Sequence, residues 1–144
     1  STAIEFEKTW RRSCKSQDAR WRYLGVTAGD STGRIAKLFK VEINGTVLSE
    51  LVSALAAGYV ALPQEEKEGE TQVEWGGAND VKEIGKRVAA CMTELATCGR
   101  FALASKLLGS KVKASVVALV DALVAQGAVD EANADHLRLT YGVS

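Results

Sequence analysis

Apolar residues recur along this chain at spacings of three and four, and short polar residues punctuate the runs. That period places apolar side chains on one face of an α-helix. Thr2 and Glu5 form a capping box, in which each side chain can satisfy a free N–H of a first helical turn. Phe6 and Trp10, four apart, share a face, while Arg11 and Arg12 point elsewhere. Ser16 is the expected N-cap of a second helix carrying Ala19, Trp21, Tyr23 and Leu24 and stopped by Gly25. Residues 27–33, "TAGDSTG", read as a loop, and "RIAKLF" follows as a short helix with Ile35, Leu38 and Phe39 at helical spacing.

The next stretch reads as the centre of the molecule. "INGT" is a turn whose Thr46 can cap "VLSELVSALAAGYVAL", and Val47, Leu48, Leu51, Val52 and Leu55 give this helix a wide apolar face before Pro63 ends it. Residues 63–77, "PQEEKEGETQVEWGG", are acidic and poor in apolar residues. They read as a mobile, solvated insertion between two helices. Asp80 and Glu83 make another capping box before a stripe of Ile84, Val88, Cys91, Met92 and Leu95. "GRFALASKLLG" gives a short helix with Phe101, Leu103, Leu107 and Leu108. Ser110 is the expected cap of a helix with Val112, Val116, Leu119, Val120 and Leu123, ending at Gly127, and Asp130 opens a last helix, "EANADHLRLTYG".

The pattern predicts an all-α fold: one domain over residues 1–144, a bundle of about seven or eight helices in antiparallel pairs, with residues 63–77 as an acidic loop. "VVALV" could be a strand in isolation, but its place between a cap and a Gly stop within a 3.6-residue repeat decides for helix. A single proline in 144 residues agrees with helices over a turn-rich β fold.

Composition narrows the function. Lys and Arg number 18 against 18 Asp and Glu, so no net field draws the protein to nucleic acid or an anionic membrane. No apolar run reaches the ~18 residues of a membrane span. The first residues carry no secretory signal, and three cysteines, Cys14, Cys91 and Cys98, fit a reduced cytosolic setting. Starting inside what reads as a helix, the chain is expected to be a piece of something longer. Charge is uneven: residues 1–40 carry nine Lys/Arg against four Asp/Glu, 41–80 one against eight, 81–113 seven against two, and 114–144 one against four. The basic blocks are candidate surfaces for an acidic partner, or they face the acidic blocks within the fold.

Catalytic constellations are missing from the pattern. His136 is the only histidine, so two histidines cannot hold a metal, and Cys91 and Cys98, seven apart, read as buried small hydrophobes. "GDSTGR" lacks the GK[ST] ending and preceding strand of a phosphate loop. No catalytic, cofactor or metal residue is assigned, and the chain reads as no enzyme. In "KTWRRSCKSQDARWRYL" the aromatics fall opposite the arginines, whereas base-stacking aromatics would be exposed among them. They read as core.

The order of "FEKTWRR", "ARWRYL", "IAKLF", "LSELVSAL" and "LATCGRFALASKLLG" resembles the C-terminal helical domain of the RNA-polymerase-II-associated, Monad-binding family over residues 3 to about 141. "FEKTWRR" and "TCGRFALASKLL" resemble most its coiled-coil-containing axonemal dynein assembly factor. The resemblance implies that Phe6, Trp10, Trp21, Leu24, Leu38, Phe39, Leu51, Phe101 and Leu108 are a structural signature. It implies a non-catalytic protein-interaction domain for cytoplasmic assembly or axonemal docking of dynein arms in motile cilia or flagella. The alternatives are an adaptor recruiting RuvB-like AAA+ ATPases to a heat-shock co-chaperone complex, RNA polymerase assembly included, and a microtubule-binding module. Expected partners are axonemal dynein or assembly factors, RuvB-like ATPases and tubulin, with no nucleic acid, membrane or cofactor. Self-association is assigned to regions missing from this chain, and the setting to cytoplasm and axoneme. Arg11, Arg12 and Arg100 are the surface candidates, with Tyr141 near a C-terminal docking edge.

Overall fold

The computed structural model describes residues 3–29, 33–62 and 74–143. Among them are eight α-helices, and the only β pairing is an isolated bridge between Trp75 and Ala78. The helices are α1 (Ala3–Ser13), α2 (Gln17–Thr27), α3 (Arg34–Leu38), α4 (Gly45–Val60), α5 (Val81–Leu95), α6 (Phe101–Lys106), α7 (Ser110–Ala125) and α8 (Glu131–Thr140). The fold is all-α, as the periodicity predicts, and "VVALV" lies inside α7.

Helix α4 sits at the centre, packed against α7, α2, α6 and α5. It is apolar nearly all round, with Val47, Leu48, Leu51, Val52, Ala54, Leu55 and Tyr59 buried, as a helix covered on several sides must be. The expected stripes of α5 (Ile84, Val88, Cys91, Met92, Leu95) and α7 (Val116, Leu119, Val120, Leu123) are buried too. Val112 is only partly covered.

Caps explain most boundaries. Ser16, Asp80 and Asp130 each accept a bond from the N–H three residues on, at Ala19, Glu83 and Asn133. Two caps fall one or two residues earlier than expected. Asn44, in extended backbone, accepts from the N–H of Val47 at 2.8 Å, so Thr46 lies inside the first turn of α4. Gly109 occupies the cap of α7, and Ser110 is its first helical residue. Helix α4 ends at Val60, with Ala61 as its C-cap. Thr2 of the Thr2–Glu5 box, Pro63, residues 30–32 of the 27–33 loop and most of the 63–77 loop lie outside the described residues.

The N-terminal aromatics form a layer within the core. Phe6 lies 6.0 Å from Trp10, 5.6 Å from Tyr23 and 5.7 Å from Phe39, ring centroid to centroid. The Trp10 indole N–H donates to Glu50 on α4 at 3.3 Å, and the Arg20 guanidinium sits 5.1 Å above the Trp10 ring. Arg20 also donates to the Cys14 carbonyl and pairs with Glu50. Phe6, Trp10, Trp21, Leu24, Phe39, Leu51, Phe101 and Leu108 are buried, and Leu38 is partly buried against them.

Gly25 does not stop α2, which runs on to Thr27. Its missing side chain serves a close approach: a Cβ there would lie 2.7 Å from the Trp75 ring, and one at Gly58 only 2.2 Å from the Trp21 ring. Trp21 is thus held between the backbone of α4 and Trp75, which stacks on it at 4.6 Å and 17°. The Trp75 indole N–H donates to the Trp21 carbonyl at 2.7 Å. Trp75 is 3% exposed, so the expectation that residues 63–77 stand in solvent as a unit fails at their C-terminal end. One buried indole outweighs the polar composition around it.

Candidate docking surface

The interior offers no reaction chamber among the described residues. A small void of about 10 Å³ is walled by Leu24, Ala28, Ile35, Leu51, Leu55, Cys91 and Leu95. All three thiols are buried. Burial pushes Cys98 up from its usual 9.0 to about 11, with the Glu94 carboxylate adding to the effect. Burial also raises Cys14, against the opposing pull of Arg20. Both stay protonated at neutral pH, and a protonated thiol is a poor nucleophile. His136 is exposed on α8. Among the described residues no three His, Cys, Asp or Glu gather to hold a metal. No helix there is long and apolar enough to cross a membrane.

Chemistry is concentrated on the surface around α6. This helix is short because its ends are fixed by the "TCGR" turn and by Gly109. Gly99 N–H donates to the Phe39 carbonyl, and its own carbonyl accepts from Ile43, tying the turn to the α3–α4 connection. A Cβ on Gly99 would lie 2.0 Å from the Val41 carbonyl oxygen. Arg100 follows with φ of 59°, a left-handed conformation costing on the order of 1 kcal/mol in a residue with a side chain. Its side chain is exposed and makes no ion pair among the described residues.

Phe101, Ala104 and Leu108 turn inward from α6 and the residues after it, and Leu103 and Leu107 are left outside, 60% and 73% exposed. Four residues apart, they share one turn of surface. Two open grooves flank them. The first is lined by Arg11, the first turn of α4 from Asn44 to Ser49, and Leu107. Free N–H groups and the helix dipole make that end of α4 locally positive. The second, about 360 Å³, runs between α6, α7 and α8, with Phe101 and Tyr141 beneath, Leu139 79% exposed, and Lys106 and Lys113 beside it. Among the described residues no carboxylate lines either groove.

The surface candidates therefore separate. Arg11 lines a groove, Arg12 is exposed on the same turn of α1, and Arg100 sits at the head of the α6 stripe. Tyr141 does not present itself to a partner: it is 1% exposed, stacks edge-on to Phe101 at 5.3 Å, and donates its hydroxyl to the Met92 carbonyl at 2.6 Å. Burial, with Cys98 and Cys91 close by, pushes its phenol far above the usual 10.0. It is the floor of the second groove. Leu103 and Leu107, grouped by the sequence with Phe101 and Leu108 as the apolar residues of this helix, are instead exposed, and Leu139, Lys106 and Lys113 were not singled out by sequence reasoning. The signal lay in the i, i+3, i+7 set Phe101, Ala104, Leu108, which fills the inner face and leaves the other leucines off it.

The charge blocks are joined across the fold at one ion pair among the described residues, Arg20–Glu50 at 3.3 Å. The others are local to their blocks: Arg22–Asp18, Lys86–Glu83, and Arg138 with Asp121, Glu131 and Asp135. Both arrangements open to the basic blocks are thus used, inward pairing at Arg20 and outward display at Arg11, Arg12, Arg100 and Lys106.

Residues 1–113 match the family described as the potential Monad-binding region of RPAP3. The dynein axonemal assembly factor 19 homolog of Chlamydomonas reinhardtii is 32% identical over 136 residues, covering 94% of this chain and 47% of the relative. The chain thus spans about half the length of the curated relative it matches. No solved structure matches it.

Proposed function

This chain belongs to the family of the potential Monad-binding region of RPAP3, and on that premise we propose that it is a non-catalytic protein-interaction domain of a factor for dynein arms. Its work is their assembly in the cytoplasm or their docking on the axoneme of motile cilia. The observation that carries this reading is the α6 face, where solvent-exposed leucines stand among cations beside two open grooves. Apolar anchors with a polar rim are what a protein-docking site needs. The dynein-assembly name of the relative supports the client.

A second reading is favoured by the family description, which names a protein-binding region. Here the domain is an adaptor for RuvB-like AAA+ ATPases within a chaperone complex. A microtubule-binding module ranks third, and the cationic residues around α6 are its support.

The test is a titration of the domain against axonemal dynein, the RuvB-like ATPase ring and tubulin, each at low and high salt. Saturable binding to dynein is the expected result, and binding to the ring alone moves the assignment to the chaperone adaptor. Salt-sensitive binding to tubulin alone supports the third reading. Absence of binding to all three contradicts the proposal.

A further inference from the structure

The groove between α6, α7 and α8 combines three features that specify what fits it. Its floor is aromatic and rigid: the Phe101 and Tyr141 rings meet edge-to-face, and the Tyr141 hydroxyl is committed to the Met92 carbonyl. Its wall carries Leu139, exposed on the last turn of α8, where the inward positions are taken by Ala134 and Leu137. Its charged residues are Lys106 and Lys113, and its remaining lining, Ala102, Ser105, Thr140 and Gly142, is small or neutral. Lys113 lies close to Gly142, with its Nζ 4.0 Å from where a Cβ would stand, so the cation is over the groove.

We propose that this groove docks an acidic segment of a partner protein, with one bulky aliphatic side chain as its anchor. The anchor would lie against Leu139, above the nearly buried Phe101 and Tyr141 rings, and flanking carboxylates would meet Lys106 and Lys113. The volume of about 360 Å³ suits a single large side chain and its adjoining backbone. Charge complementarity selects the occupant, because two cations without a lining carboxylate disfavour a basic segment and favour an acidic one. A nucleic acid fits less well, since the aromatic rings lie under the surface with no open face for a base to stack on. Helix α8 lies beyond residues 1–113, so part of the groove belongs to this chain outside the family match. The inference rests on the reading of the chain as a protein-interaction domain and names the chemistry of its partner.

The experiment is an amide-shift titration of the isotope-labelled chain with three synthetic peptides. One is glutamate-rich with a central leucine, the second has alanine for that leucine, and the third has lysine for every glutamate. A single-stranded oligonucleotide is the fourth probe. The expected result is saturable shifts at Ala102, Ser105, Lys113 and Leu139–Gly142 with the first peptide. The alanine peptide should bind at least about tenfold more weakly, and the lysine peptide should give no localised shift. The variants Leu139→Asp and Lys113→Glu should abolish the shifts, while Val26→Asp, exposed on α2 and in neither groove, keeps them. Equal response to all peptides, shifts centred elsewhere, or a response to the oligonucleotide instead would overturn the proposal. Peptide binding here with no binding to dynein, the RuvB-like ring or tubulin would retain the groove and reject the functional reading. Dynein binding unaffected by Leu139→Asp and Lys113→Glu would do the reverse.

Discussion

Helix α2 and helix α6 both carry large apolar residues near the surface, and the fold treats them in opposite ways. On α2, Trp21 is pressed between the Gly58 backbone and the Trp75 ring, and the covering indole is fixed by a hydrogen bond to the Trp21 carbonyl. On and just after α6, Leu103 and Leu107 are left 60% and 73% exposed, with exposed Arg100 and Lys106 close in sequence. A single exposed leucine is ordinary on a protein surface. Two on one turn, with Leu139 exposed on a groove whose charged lining residues are Lys106 and Lys113, make the surface we propose a partner covers. Cover supplied by the chain itself stabilises the fold, and cover left to a partner serves recognition.

Substitutions should separate the two regions sharply. The largest loss is expected for Trp10→Ala, ~3–5 kcal/mol, because the truncation empties a core site and breaks the bond to Glu50. A urea midpoint equal to wild type would show that the aromatic layer is not core. Next is Trp75→Ala, at about 3 kcal/mol, with Trp75→Phe recovering the stacking but not the hydrogen bond. A silent Trp75→Ala would mean that α2 needs no cover and would break the comparison from its sealed side.

Alkaline pH should act on the buried groups. Burial raises Cys98 to about 11 and Tyr59 to about 12, the latter helped by Asp80, and raises Tyr141 further. Each is favoured neutral in the folded state. Its contribution is therefore complete below the unfolded values of 9.0 and 10.0 and is lost as pH climbs toward the folded ones. Stability should fall by on the order of 1 kcal/mol as pH rises from neutral toward 11. A flat denaturation profile over that interval would show these groups to be solvated. The smallest effect is expected for Leu103→Ser with Leu107→Ser, within about 0.5 kcal/mol of wild type for each. A loss comparable to Trp10→Ala would show that the α6 face belongs to the core.

Helices, their apolar stripes and the N-terminal aromatic core were legible because they depend on local spacing and on burial of the largest side chains. Caps were legible where Ser or Asp stood immediately before a run. They slipped at Asn44 and Gly109, where a neighbouring Thr or Ser offered an equally plausible local partner. Trp75 was missed because its packing depends on two distant glycines, Gly25 and Gly29, that no periodicity connects to it. Among the surface candidates, Arg11, Arg12 and Arg100 have exposed side chains, and their docking role belongs to the proposal. Tyr141 lines the groove at the end of α8 but is buried there, because a chain-end position says nothing about the Phe101 and Met92 that enclose it. Leu103 and Leu107 were grouped with Phe101 and Leu108 as apolar helix residues, but Phe101, Ala104 and Leu108 take the inner face and leave them outside.

The most direct measurement is amide hydrogen exchange on the chain, free and with the macromolecule found to bind it by titration. The account predicts new protection across 100–108 and at the end of α8, with none at Trp21 or Trp75. Protection centred on α2 and Trp75, with the α6 face unchanged, would contradict it.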